Sequence, residues 1–416
     1  MLVTTGVQIS PSALESLDAS TGSVAARVCA GMRSKELIAY IAAFTGPLAG
    51  NAVLALLTTL KTEWNISVEQ VLLAIPAFMF PFAIAQLFSG SISDAYDRRS
   101  TVSAGLLVYA LGSLVAAAAP SFEIFMASRF VQGLGYAFVS PVLVAILSDI
   151  AGPSRQGLSM GYYGSFTSAG VASGPLLAGA MSVIDWRLTF LAIGLISVVV
   201  LLLFLLVFEK DRKTKSPATV KAIGKQLSAT MGNRSVALLS ASGFLAFLAQ
   251  VGMMSFVSDH LGSGDLQVSA LQIGVALGLS GILGIVVSPF SGKLVDAKGA
   301  RCCVTVGFVI IATGTIMFVP STHYWEFVVL LAAAGTGTTF MWASLLTMVV
   351  RAYPALKGTS SSVFNSARFM GYAISPLALT PVYVAWGFSA VMIASSAVCL
   401  VALVLALSSD RSLGKG

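Results

Sequence analysis

The chain has 416 residues, of which 56% are apolar and 10% charged, and its mean hydropathy is +0.90. A soluble domain carries about 25% charged residues, so a water-exposed globule of this length would lack the ionisable groups to cover its surface. The net charge of +7 invites a nucleic-acid reading, which the placement of the basic residues argues against.

The first 35 residues are polar, with no apolar core and no small-residue cleavage site, and read as a cytoplasmic tail rather than a signal peptide. Beyond them come uncharged runs of about 20 residues, long enough to cross hydrocarbon as helix. Residues 100–122, 188–208, 302–325 and 327–350 carry no charge at all. Such continuity excludes a β-barrel, which needs short alternating segments. Twelve spans are predicted, at 37–60, 68–90, 101–119, 122–147, 158–182 and 188–208, then 235–257, 268–291, 302–319, 325–350, 359–383 and 387–408. The sequence therefore predicts an all-α membrane protein of twelve transmembrane helices in two pseudo-symmetric six-helix bundles. The bundles are residues 36–208 and 235–408, joined by a polar, basic linker at 209–234 and followed by a short tail at 409–416.

With a cytoplasmic N-terminus, 20 of the 24 Lys and Arg fall on inner segments. Lys61 and Arg187 lie outside, and Arg129 and Arg368 lie within spans. This positive-inside bias predicts a multi-pass plasma (inner) membrane protein with both termini cytoplasmic. It also explains the basic excess by topology and by contact with anionic lipid headgroups, rather than by nucleic acid. Trp64, Trp186, Trp325 and Trp386 fall near outer span ends, as anchors. The four cysteines lie inside spans or at inner ends and imply no disulfide framework. There is no nucleotide-binding Gly-Lys loop, no His-Glu metal pair and no nucleophile–base arrangement. The two histidines, His260 and His323, fall in predicted outer loops. Neither an enzyme nor a bound metal or cofactor is expected.

Landmarks recur about 201 residues apart. Gly90 and Asp94 return as Gly292 and Asp296, Gly133 and Gly135 as Gly335 and Gly337, Pro153 and Gly157 as Pro354 and Gly358, and Gly170 and Pro175 as Gly371 and Pro376. Membrane proteins built from two such halves place a substrate site between them and rock the halves to expose it alternately.

Four clusters carry the mechanism. After span 2 the chain reads Gly90-Ser-Ile-Ser-Asp94-Ala-Tyr-Asp97-Arg98-Arg99, and its second copy reads Gly292-Lys-Leu-Val-Asp296-Ala-Lys-Gly299-Ala-Arg301. Span 4 holds Arg129, Gln132, Gly133 and Gly135, and ends at Asp149. Span 5 places Gly161, Gly170, Gly174, Pro175 and Gly179 in the pattern G-x8-G-x3-G-P-x2-G-G, with Ala178 in the penultimate place. Span 11 holds Asn365, Arg368, Gly371 and Pro376. On these residues the chain resembles the major facilitator superfamily over about residues 36–408, and within it the twelve-span drug–proton antiporters. Ala95 and Asp97 depart from the family's first loop.

The resemblance implies a monomeric transporter that exports small organic molecules, as in multidrug efflux, by proton antiport. Gly90, Asp94, Arg98, Arg99, Asp149, Asp296 and Arg301 would form a latch at the inner face. Gly161, Gly170, Gly174, Pro175, Gly179, Gly371 and Pro376 would form hinge and seal. A charge in hydrocarbon must face a cavity or a partner. Arg129, with Gln132, either serves proton coupling or ties helix carbonyls. Arg368, beside Asn365, either meets an anionic substrate or structures the inner gate. Asn51, Gln86, Tyr136, Tyr163, Phe247, Gln250, Trp342 and Tyr372 are the expected cavity wall, a mixture suited to amphipathic small molecules. Span 1 has no deep acid, and Asp94, Asp149, Glu123 and Asp259 are the candidate proton carriers. Two intramembrane arginines without matching acids point alternatively to uptake or facilitated passage of a small organic anion. A membrane receptor or scaffold that transports nothing would require a large extra domain.

Overall fold

The computed structural model describes residues 11–95, 97–209, 220–264 and 266–409. Side chains are described from Ser34 onward, except at 90–95, 153–154, 156–158, 220–223, 289, 292–293 and 296. The fold is helical. α1 (Pro11–Trp64), α2 (Val68–Leu72), α3 (Ala74–Ala95), α4 (Arg98–Ala117), α5 (Phe122–Ala137), α6 (Ser140–Met181) and α7 (Arg187–Val207) form the first half. α8 (Val220–Gly232) lies in the connection. α9 (Arg234–Ser263), α10 (Ala270–Lys298), α11 (Ala300–Met317), α12 (Tyr324–Ala352) and α13 (Lys357–Leu407) form the second half.

Ten stretches are long and apolar enough to cross a membrane. α13 holds two of the predicted spans, because Gly387 at φ 78° breaks the helix between them. Gly152 at φ 64° divides α6 in the same way, between spans 4 and 5. Glycine adopts these left-handed angles without a Cβ clash, so each turns the chain from one span into the next with no intervening loop. Dividing α13 makes the ten stretches eleven, and the remainder of α6, residues 153–181, adds a twelfth helix of membrane length among the described residues.

Two predicted spans carry a short interruption within their bounds. Span 2 is not continuous: α2 starts at a capping box made by Ser67 and Gln70 and gives way to α3 at Leu73. Span 4 breaks at Phe138 and Val139 and restarts as α6, where Pro141 supplies no backbone donor and suits a first turn. The described part of the 209–234 linker is largely the helix α8, and the backbone of the predicted polar tail is helical from Pro11.

The two halves repeat each other in packing as well as in sequence. Gly105 on α4 and Gly135 on α5 meet so closely that a Cβ added to Gly105 would stand 2.7 Å from the Gly135 carbonyl oxygen. Gly307 on α11 and Gly337 on α12 stand in the same relation, also at 2.7 Å. Gly133 abuts the Phe78 carbonyl as Gly335 abuts that of Ser280, and Gly170 abuts that of Phe44 as Gly371 abuts that of Phe244. Hydrocarbon gives little drive for helices to associate, so close backbone approach at small residues supplies dispersion contact instead. Between the halves, α6 packs on α10 and, in the symmetry-related place, α3 packs on α13.

Candidate functional site

The halves meet differently at their two ends. The end opposite the basic cluster, here the far end, is closed. Lys61 Nζ lies 2.8 Å from Asp259 Oδ1, joining α1 to α9. Asp259 is only 2% exposed, and it also accepts hydrogen bonds from Tyr383 at 2.9 Å and Ser263 at 3.2 Å. Ser258 donates to the Leu54 carbonyl across the same seam, and Gly262 lies against Thr58. On the neighbouring seam Gly179 meets the backbone of Ala270, and Gly274 meets that of Pro175.

At the basic end no such seam is seen among the described residues. Among the described residues nothing lies within 4 Å of a Cβ added to Gly161, Gly164 or Gly358. Span 5 is thus sealed at Gly170, Gly174 and Gly179 and free at Gly161. Gly170 and Gly174 pack on α1, within their own half, while Gly179 packs across the divide.

Between these ends lies a polar and aromatic midsection. Tyr372 on α13 donates to Asn51 Oδ1 on α1 at 2.9 Å, and the rings of Phe82 and Phe369 meet edge to face, 4.7 Å apart. The Tyr163 and Ser140 hydroxyls are 2.8 Å apart, and Gln250 accepts from Thr338 at 2.6 Å. Among the described residues Asn365 donates to Ser361, at 3.4 Å. Gln86 is 8% exposed, with its amide nitrogen unpartnered among the described residues. The Arg368 guanidinium lies 4.2 Å from the Phe369 ring centroid, 4.9 Å from that of Phe247 and 5.5 Å from that of Trp342.

Tyr136, expected in the cavity wall, and Gln132, expected beside Arg129, both pack within the first half. Tyr136 is 3% exposed, and its hydroxyl donates to the Ala43 carbonyl at 2.7 Å. Gln132 is fully buried, bridging Arg129 at 2.7 Å and Ser113 at 3.0 Å. Arg129 itself has no exposed surface. It donates to the carbonyls of Ala49 at 3.1 Å and Ala74 at 3.3 Å, and it lies 4.7 Å from the Phe78 ring centroid. Both carbonyls are backbone acceptors on α1 and α3, so one cation ties three helices together. The cost of desolvating a charge is offset here by hydrogen bonds, with no carboxylate among the described residues.

At the basic end Arg98 Nη1 lies 2.5 Å from Asp149 Oδ2. Arg99 donates to the Leu205 carbonyl at 2.7 Å, and Arg301 to the Leu407 carbonyl at 2.6 Å. These two arginines are repeat partners, each capping the last turn of the sixth span of its half, where unpaired carbonyls and the helix dipole favour a cation. In this conformation they serve their own bundles. The side chains of Gly90, Asp94 and Asp296 lie outside the described residues.

Sequence reasoning missed two ion pairs, Lys61–Asp259 across the divide and one within the first half. Glu36, 6% exposed, pairs with Arg155 at 3.5 Å. Lys61 stood out only as a basic residue on the outer side. His260, expected in a loop, lies in α9 and stacks on Phe388 at 4.0 Å.

The Major Facilitator Superfamily model matches residues 39–376 and, again, residues 239–414. An uncharacterised MFS-type transporter of Mycobacterium tuberculosis is 22% identical over 75% of this chain, which spans 64% of that relative's length. The class G tetracycline resistance protein of Vibrio anguillarum is 26% identical over 85% of this chain and 91% of its own. Among solved structures, the human organic anion transporter MFSD10 (TETRAN) superposes with a TM-score of 0.73 at 19% identity, covering 90% of this chain and 99% of that one. At that identity the likeness is one of fold.

Proposed function

The chain belongs to the major facilitator superfamily and is a multi-pass membrane transporter; from that premise we propose that it exports small organic molecules by alternating access, coupled to proton entry. One observation carries this reading. The helices that seal the halves together at the far end make no such contact at Gly161 and Gly164, toward the basic end, among the described residues. A basic end on the cytoplasmic side makes this the inward-facing state. Cargo enters the midsection there, the basic ends close, and the Lys61–Asp259 seam parts to release it outside.

Three further points support export by a proton-driven route. The glycine pattern of span 5 resembles that of antiporters. The relative from Vibrio anguillarum bears the name of a tetracycline resistance protein. Glu36 and Asp259 are the buried carboxylates among the described residues, one near each gate, and a proton carrier must change its exposure between the two states. In this reading the protein works as a monomer in the plasma membrane, its basic face against anionic headgroups and its termini cytoplasmic.

The test is transport. Purified protein in liposomes under an imposed pH gradient, challenged with compounds that rescue growth of an efflux-deficient host, should move at least one of them against its gradient. Failure with every rescuing compound refutes export. Undiminished transport after cross-linking α1 to α9 through cysteines at positions 61 and 259 refutes alternating access.

A further inference from the structure

The two intramembrane arginines have opposite fates. Arg129 spends Nε and Nη1 on two carbonyls and on Gln132, and only its Nη2 lacks a partner among the described residues. Arg368, about 17 Å along its helix from the basic end at 1.5 Å per residue, makes no hydrogen bond and no ion pair among the described residues. Its contacts are three aromatic faces, and its Nε is buried without an acceptor. Two other donors of the midsection are unmatched in the same way, Trp342 Nε1 and Gln86 Nε2. Trp342 is one of the rings against Arg368, while Gln86 lies one turn beyond Phe82, which packs on Phe369. The nearby hydroxyls do not fill the gap, since Tyr372 donates to Asn51 and Tyr163 is engaged with Ser140.

The repeat sharpens the contrast. Gly170 and Gly371 are equivalent, so Arg368 corresponds to Thr167 in the first half. The Thr167 hydroxyl is satisfied by the carbonyls of its own helix, at 3.1 Å and 2.9 Å. The cation is therefore an addition to the repeated scaffold. Buried cations and donors without acceptors are unfavourable unless something supplies acceptors, and here three such donors, on Arg368, Trp342 and Gln86, lie in one midsection while Arg368 as a whole stays partly exposed.

We propose that Arg368 is the docking site for the anionic group of an aromatic organic anion, whose rings lie against Phe247, Trp342 and Phe369. A carboxylate or sulfonate offers the guanidinium two oxygens in the geometry that its fork matches, and the aromatic faces already around it accept a flat apolar body. Arg368 thereby sets the class of cargo. The proposal rests on the alternating-access reading, because it takes the midsection to be the cargo site.

Binding and movement are tested separately. Full-length protein in detergent is titrated calorimetrically with 2-naphthoate, the uncharged 2-naphthamide and the cation 2-naphthylmethylammonium. The naphthoate should bind at least about tenfold more tightly than the other two, the scale of one hydrogen-bonded charge pair. Arg368→Gln should abolish that preference, and Arg368→Lys should keep part of it. Equal affinities across the three probes, no heat from naphthoate, or an unchanged preference in a folded Arg368→Gln protein would each overturn the proposal. The wild-type series decides the matter even where the variant misfolds. The cross-link between positions 61 and 259 addresses the other reading. Transport that survives it removes alternating access and leaves the naphthoate preference standing, whereas a blocked transporter without that preference sinks the cargo assignment alone.

Discussion

A side-chain carbon added to Gly179 would stand 2.6 Å from the carbonyl oxygen of Ala270, a backbone atom of the other half. Backbone cannot step aside as a flexible side chain can. The seam between α6 and α10 therefore exists only while these positions stay bare, and its grading along span 5 makes the first prediction. Gly179→Val should force the far ends apart with little loss of stability, because each half keeps its own core. Gly170→Val, buried against α1, should instead cost about 1–3 kcal/mol of stability through overpacking and so lower the melting temperature. Gly161→Val, in open space, should change neither. Melting curves in detergent, with spin-label distances across the far end, separate the three outcomes, and a uniform response would contradict the inward-facing geometry.

The second prediction concerns the far gate. Lys61→Met leaves Asp259 buried and without its cation, a loss of up to about 3 kcal/mol for the closed arrangement. Once the gate parts and the carboxylate is wet, nothing is lost. The population should therefore move toward the far-open state. In a cysteine-free background, Thr58→Cys should then react faster with an impermeant maleimide than in the otherwise native chain. Exchanging the charges, Lys61→Asp with Asp259→Lys, should return the rate toward its starting value. Equal rates in all three proteins would show that the pair does not hold the gate.

Arg129 yields a third expectation, opposite in kind to that for Arg368. Because it ties α1, α3 and α5 through backbone acceptors, Arg129→Gln should strand buried carbonyls, each costing about 1–3 kcal/mol. The variant should show lower yield, a depressed melting temperature and a broadened gel-filtration peak. A protein of native stability that had merely lost proton coupling would instead place Arg129 in the transport chemistry.

The fourth prediction is a small effect. The Arg98–Asp149 pair is half in water, with Asp149 at 67% side-chain exposure, and exposed pairs contribute about 0–1 kcal/mol. Asp149→Asn should leave the melting temperature nearly unchanged. If Asp149 acts in a latch that forms when the basic ends close, the same substitution should still slow transport in liposomes. A large fall in stability with normal transport would make the pair structural.

Much of this architecture is legible in the sequence, because hydrocarbon imposes simple rules. Uncharged runs give the spans, and the recurrence of Gly133 as Gly335 and Gly170 as Gly371 reappears as matched backbone contacts. Other features depend on the third dimension. Lys61 and Asp259 are 198 residues apart, and no local pattern announces that two helix ends will meet. Tyr136 and Tyr163 look alike along the chain, yet one is consumed by a carbonyl of α1 and the other stands beside the midsection. The direction in which a side chain points around a helix depends on packing partners that an apolar run does not specify. Arg99 and Arg301 read as parts of a latch from their place in a basic loop, and only the position of the last turns of α7 and α13 shows them as caps.

Gly152 and Gly387 have a mechanical consequence. Each joins two spans through a single left-handed residue, so the helices on either side have no slack between them. A tilt imposed on one must be passed to the next, and neither can slide lengthwise past its sequence neighbour without breaking the turn. Spans 4 and 5, and likewise 11 and 12, are bound to travel as pairs. Such stiffness steers the molecule toward swinging whole bundles and away from drawing single helices like pistons.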